Sequence, residues 1–175
     1  GYLSAICRCA LEMARAKEQQ GGAIRVNALI GPSSTEQEID AASGFGTVKI
    51  KVGRGPLDED IARIRKLRRR LGPGIAFRLD ANRAWSPEQT LRFHREIGDP
   101  RLDYIEEPLR DPSRLGRLRG IPIALDESLA ENSSLIGLPG LRAIVLKPTV
   151  SGGIGGTMST MRDAVRSESF TEETA

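Results

Sequence analysis

Six short apolar runs recur along the chain, and five of them carry a charged residue at the C-terminal end. The runs cover residues 23–30, 47–52, 75–79, 102–105, 121–125 and 141–146, and the charged positions are Lys51, Asp80, Glu106, Asp126 and Lys147. By subtraction these stand 29, 26, 20 and 21 residues apart, about one strand-plus-helix unit each. Helical patterns fill the gaps, so the chain alternates strand and helix six times, which predicts a parallel sheet covered by helices. Where the charges fall then selects the architecture. A doubly wound open sheet gathers its ligand groups at one switch point, whereas a barrel gathers them from the C-terminal ends of many strands. Five successive charged strand ends predict α/β, a TIM-type (β/α) barrel.

Punctuation supports these boundaries. Gly31-Pro32 stops the first run, and Ser33, Ser34 or Thr35 can cap a short helix to about residue 43. The pattern over 57–71 places Ile61, Ile64, Leu67 and Leu71 on one stripe. Ser86-Pro87 opens a helix to about residue 97. Short helices are expected over 111–118 and 131–138, and a last one over 155–166. A helix over 3–20 begins the chain, and residues 167–175 read as a frayed polar tail.

The run at 47–54, Thr-Val-Lys-Ile-Lys-Val-Gly-Arg, carries the first chemical signal. Side chains alternate across a strand, so Lys49 and Lys51 share one face while Val48, Ile50 and Val52 share the other. Two ammonium groups on one strand face need an answer, because burying like charges together is costly. Asp80, Glu106 and Asp126 supply it at the same end of the sheet.

Charged residues make up 28% of the chain and the net charge is +3, a balance that argues against disorder and against a membrane-inserted protein. No apolar run approaches a bilayer span and nothing at the N-terminus reads as a signal peptide. Cys7 and Cys9, at i and i+2, do not share a helix face and read as small buried residues, which suits a reducing cytoplasm. The basic run at Arg63, Arg65, Lys66, Arg68, Arg69 and Arg70 lacks interleaved aromatics and reads as a solvated helix face, with no nucleic-acid partner.

Three carboxylates at one mouth without His or Cys make an all-oxygen site, which selects a hard ion and suits Mg²⁺ better than Ca²⁺, with Mn²⁺ as a substitute. His94, between Phe93 and Arg95 inside a helix, reads as a surface residue and leaves zinc without a ligand. Lys51, beside Lys49 and a cation, is placed to act as a general base with a lowered pKa. Lys147 would stand on the opposite side of a bound substrate. This set is equipped to remove a proton α to a carboxylate. Gly152, Gly153, Gly155 and Gly156 match no P-loop or dinucleotide fingerprint and read as a tight turn at the barrel top.

Lys49-Ile-Lys51, Leu79-Asp-Ala-Asn-Arg-Ala-Trp85, Tyr104-Ile-Glu-Glu-Pro108, Ala124-Leu-Asp-Glu-Ser128 and Val145-Leu-Lys-Pro148, in this order, resemble the muconate-lactonizing-enzyme subgroup of the enolase superfamily. Within it, Val26-Asn-Ala-Leu-Ile30, the Leu79–Trp85 stretch and Leu146-Lys-Pro-Thr149 most resemble the o-succinylbenzoate synthases. The resemblance implies that Asp80, Glu106 and Asp126 bind Mg²⁺, that Lys51 abstracts the α-proton and that Lys147 stabilises the charge that develops. It implies that Lys49 tunes Lys51, that Asn82 supports Asp80, and that Arg78 meets a substrate carboxylate or pairs with neighbouring acids. Glu106 is the ligand of its pair, with Glu107 behind it, and Asp126 is chosen over Glu127. The implied reaction is loss of water from a succinyl-hydroxycyclohexadiene-carboxylate to give o-succinylbenzoate, in menaquinone biosynthesis. Epimerases or racemases of dipeptides or N-acylamino acids, and cycloisomerases, are the alternatives from the same subgroup.

Measured against that subgroup, the sequence is expected to divide into a helical remnant of the capping-domain connection (1–22), a partial barrel (23–166) and the tail. The capping domain and the closing strands have no counterpart in it. Six strands leave two open edges, which invite self-association. A non-catalytic fragment with an inherited, unassembled site is the reading from a different class, and weak metal binding with little turnover is the expectation for the isolated chain.

Overall fold

The structure, a computed structural model, describes residues 7, 9–12 and 25–166. Six strands, β1 (Ala28–Ile30), β2 (Thr47–Lys51), β3 (Ala76–Asp80), β4 (Leu102–Glu106), β5 (Ile123–Leu125) and β6 (Leu141–Ile144), form one sheet. Every neighbouring pair is parallel and the spatial order is the chain order, with β1 and β6 at the two ends of an arc that does not close.

The helices are α1 (Glu36–Ala41), α2 (Leu57–Leu71), α3 (Pro87–Ile97), α4 (Glu127–Glu131) and α5 (Gly153–Arg166). The longer ones begin and end where their chemistry dictates. In α3 the Ser86 side chain accepts from the Gln89 amide while the Gln89 side chain accepts from that of Ser86, Pro87 opens the first turn, and Gly98 closes the helix in the left-handed region. Thr35 and Glu38 form the same reciprocal cap on α1. In α2, acidic Asp58, Glu59 and Asp60 occupy the first turn and Arg68, Arg69 and Arg70 the last, complementing the helix dipole.

The core lies between the sheet and these helices. Val48, Ile50, Phe77, Leu79, Ile105, Ile123 and Leu125 from the strands pack with Ile61, Ile64, Leu67, Phe93, Leu115 and Leu118. Trp85 lies against Phe93 with ring centroids 4.5 Å apart. With these side chains facing the helices, Lys49, Lys51, Arg78, Asp80 and Glu106 project from the other face of the strands.

Several expectations change in detail. The first strand is only three residues long; residues 23–24 lie outside the described ones and 25–27 are irregular. The short helices expected near 111–118 and 131–138 are 3-10 turns, Pro112–Arg117 and Ser133–Gly137. Helix α4 was not foreseen. Of the expected 3–20 helix, residues 7 and 9–12 are helical and the rest lies outside the described residues, as does the 167–175 tail. Cys9 is buried as expected but Cys7 is exposed, as positions two apart on a helix face different ways. His94 is half-buried rather than on the surface, and burial lowers its pKa.

The basic face of α2 is not merely solvated. Arg63 donates to the carbonyls of Lys51 and Gly31, both at 2.6 Å, tying the tops of β1 and β2 to the helix. Arg68 donates to Asp99 at 2.9 Å and lies 3.6 Å over the Phe77 ring, and Arg70 pairs with Glu36 and Asp40. Among the described residues, no helix is long and apolar enough to cross a membrane.

Candidate active site

Register brings the charged strand ends to one level. Lys51 is the direct neighbour of Asp80, and Asp80 of Glu106, across β2, β3 and β4. Glu106 pairs with Ala124, two residues before Asp126, and Lys147 follows β6. Lys49, Lys51, Asp80, Asn82, Glu106, Asp126 and Lys147 all line one cavity of about 320 Å³, with Leu29 and Val145 as apolar wall. Glu127, which the strand-end arithmetic passes over, lines it too.

Lysines hold the carboxylates. Lys49 Nζ donates to Glu106 Oε2 at 2.6 Å and lies 3.1 Å from Asp80 Oδ2. Lys51 Nζ donates to the same Asp80 oxygen at 2.5 Å, and the Asn82 amide donates to Asp80 Oδ1 at 3.1 Å. Lys147 donates to Asp126 and stands 3.5 Å from Glu127. Burial pulls the Lys49 ammonium down, but hydrogen bonds and charge from Glu106 and Asp80 outweigh it and hold its pKa above the ordinary lysine value. For Asp80 the same contest ends below the usual carboxylate range, since the two lysines overcome burial. Glu106 ends above that range because burial, with the nearby Asp80 and Asp126 charges, exceeds what Lys49 returns. Its bond to Asp126 raises Lys147.

Arg78 stands one layer below the cavity and does not line it. Its Nε donates to Asp103 at 2.8 Å and its guanidinium lies 5.2 Å over the Tyr104 ring. Between β3 and β4 the register shifts, with Phe77 opposite Leu102 and Arg78 opposite Tyr104, so Asp103 is the extra residue at the irregularity. The glycine-rich turn after Lys147 leads into α5, where the Ile154 amide donates to Glu12 Oε2 at 2.5 Å; the anion at this helix start is the chain's own carboxylate.

In kind, the donors fit a hard divalent cation: the carboxylates of Asp80, Glu106, Asp126 and Glu127, with no softer ligand, in one cavity. In arrangement they are turned toward ammonium groups, and among the described residues no three His, Cys, Asp or Glu side chains stand close enough to hold one metal ion as they are. Taking up a cation therefore requires Asp80, Glu106 and Asp126 to exchange lysine partners for it.

Comparison with known proteins fits this geometry. A family model described as enolase C-terminal domain-like matches residues 34–166, every strand but the first. The chain belongs to that family. Among its relatives, the o-succinylbenzoate synthase of Klebsiella pneumoniae (strain 342) is 34% identical over 130 residues, covering 70% of this chain and 40% of that protein. Muconate cycloisomerase from Pseudomonas fluorescens superposes with a TM-score of 0.71 at 27% identity, over 82% of this chain and 44% of that one. The substrate-liganded L-Ala-D/L-Glu epimerase of Bacillus subtilis gives a TM-score of 0.70, again at 27% identity, over 82% and 45%. The chain thus spans less than half the length of the enolase-family relatives it matches, and its sequential parallel arc is an incomplete TIM-type barrel.

The sequence reading put Glu107 behind its neighbour Glu106, in a supporting or structural role, and gave Arg83 no role of its own. Both take left-handed backbone conformations just beyond the strand ends, and both form the wall behind Asp126. No spacing signal singled out Arg83, whereas the opposite facing of adjacent strand residues had already turned Glu107 away from Glu106.

Proposed function

We propose that this chain carries the proton-abstracting site of an enolase-family lyase that forms o-succinylbenzoate by dehydrating a small cyclohexadiene carboxylate, a step of menaquinone biosynthesis. The observation that supports it best is one cavity lined by Lys51 and Lys147, from strands far apart in the sheet, with Asp80, Glu106 and Asp126 between them. The similarity to o-succinylbenzoate synthases over 70% of the chain supports the choice of reaction.

In this reading Asp80, Glu106 and Asp126 hold Mg²⁺ or Mn²⁺. The bound cation supplies electrostatic stabilisation of the charge that grows on the substrate carboxylate as the α-proton leaves. Lys51 Nζ takes that proton, and Lys49, anchored on Glu106 and Asp80, places a second positive charge beside it. Lys147 faces the substrate from the other side and offsets developing charge. Asn82 holds Asp80 through its amide. Leu29 and Val145 give the cavity its apolar wall. Arg78 acts below the site by fixing β3 against β4.

A second reading, epimerisation of a dipeptide, is favoured by the likeness to the B. subtilis epimerase and by the same two lysines, one for each face of a stereocentre. Both readings begin with abstraction of an α-proton and end in different products, so the deciding experiment is incubation of each substrate in D₂O with Mg²⁺, followed by nuclear magnetic resonance. Incubation with the cyclohexadiene carboxylate should give o-succinylbenzoate, and Lys51→Ala should abolish it. Deuterium wash-in to L-Ala-D/L-Glu without dehydration of the first substrate would favour the epimerase. Neither dehydration of the first substrate nor deuterium wash-in to the second would mean that the site is inherited but unassembled.

A further inference from the structure

Glu107 directly follows the carboxylate that faces the cavity, yet it is among the most deeply buried side chains, 2% exposed. Its backbone adopts φ 42°, a left-handed conformation rare for a residue with a long side chain. That kink sends Glu107 behind the site. There Oε1 accepts the amide hydrogens of Asp126 at 2.7 Å and Ser128 at 2.8 Å, and Oε2 accepts the Ser128 hydroxyl at 2.5 Å and Arg83 Nε at 3.1 Å. Arg83 also donates to Glu131 at 2.9 Å and, through its amide, to the Glu107 carbonyl at 2.6 Å. One buried carboxylate thus joins the ends of β3, β4 and β5.

Asp126 occupies the N-cap position of α4 but makes no side-chain cap bond. An aspartate there normally folds back to accept the amide hydrogen of the second or third helical residue. The second is Ser128, and its amide already belongs to Glu107. We propose that Glu107 is a positioning residue that caps α4 from the neighbouring strand and so releases the Asp126 carboxylate to the cavity. Without it, Asp126 turns back onto the Ser128 amide and leaves the cavity. The proposal rests on reading Asp126 as a metal ligand.

The test is a double-mutant cycle on the chain, with Mn²⁺ affinity read by electron paramagnetic resonance and metal-free amide exchange read by nuclear magnetic resonance. Glu107→Ala should weaken Mn²⁺ binding at least tenfold, and by less than twofold when Asp126 is already Asn, because the residue acts through Asp126. An equal loss in both backgrounds, or no loss, overturns the proposal. In the metal-free protein, the Asp126 amide, which loses its acceptor, should exchange at least tenfold faster in the variant, while the Ser128 amide, taken over by the Asp126 carboxylate, and the Val52 amide, bonded to the Asp80 carbonyl at 2.9 Å, are unchanged. Should Glu107→Ala not fold, Glu107→Gln, which keeps the volume, enters the same cycle with an expected loss of at least threefold; parent-like binding by it overturns the proposal. If the parent binds no Mn²⁺ while the Asp126 amide responds and the Ser128 amide stays protected, the metal reading fails and the cap stands. If it binds and the Asp126 amide does not respond, or the Ser128 amide loses its protection, the cap fails.

Discussion

Lys49 reaches past β3 to place its ammonium 2.6 Å from Glu106 on β4, passing 3.1 Å from Asp80 on the way. One cation therefore spans three strands. Because its pKa is raised in the folded protein, the stability it contributes is full below the ordinary lysine value and is lost as pH rises through the folded one. Tyr104, pushed up chiefly by burial, acts in the same direction. Denaturant melts should show stability falling on the alkaline side above pH 10, with a shallower fall in Lys49→Gln. An unchanged slope in that variant would show that the pair contributes nothing to folding.

Gly53 follows β2 at φ 77°, and a Cβ there would lie 2.5 Å from Ala84 Cβ and 2.9 Å from the Ala81 carbonyl. Gly53→Ala should destabilise by roughly 2–4 kcal/mol, combining left-handed strain with overpacking. The clash is with the turn after Asp80, so cation affinity should fall with stability. Urea unfolding and calorimetry measure the two losses separately.

Phe93 is fully buried on α3 and stacks on Trp85, the only tryptophan in the chain. Phe93→Ala should cost about 3–5 kcal/mol. Tryptophan fluorescence reports it directly, because the ring that loses its partner is the fluorophore. Leu91→Ala, on the exposed side of the same helix, should stay within about 0.5 kcal/mol of the parent.

Arg78 fills its valence on Asp103 and the Tyr104 ring below the cavity. Arg78→Lys should lower stability by about 1 kcal/mol through the lost planar contacts while leaving Mg²⁺ affinity within twofold of the parent. A selective rise in KM for a carboxylate substrate at unchanged stability would instead put Arg78 in contact with that substrate.

What could be read from the sequence follows the range of the interactions involved. Helices α2 and α3 were legible to the residue, because Ser86, Pro87 and the Ile61–Leu71 stripe are local signals. The charged strand ends were legible because period-two alternation assigns Lys49, Lys51 and Asp80 to one face without knowledge of the partner strand. Helix α4 was not legible, because the group that caps it, Glu107, lies 19 residues before Asp126 and reaches it only after β4 and β5 have paired. The Arg78–Asp103 pair needs a register shift that no single strand announces. The clamps made by Arg63 and Arg68 were hidden because a charge on a helix surface carries no mark of the carbonyls it will meet.

The sheet order also bears on how the protein comes to be made. Since each strand pairs with the one before it in the chain, a segment leaving the ribosome meets a neighbour that is already in place. Among the described residues no strand waits for a distant partner, and each added strand and helix extends the last. Until β6 emerges there is no Lys147 to answer Asp126, so during synthesis the cavity carboxylates Asp80, Glu106 and Asp126 meet Lys49 and Lys51 first, and the Lys147–Asp126 pair forms once β6 has docked.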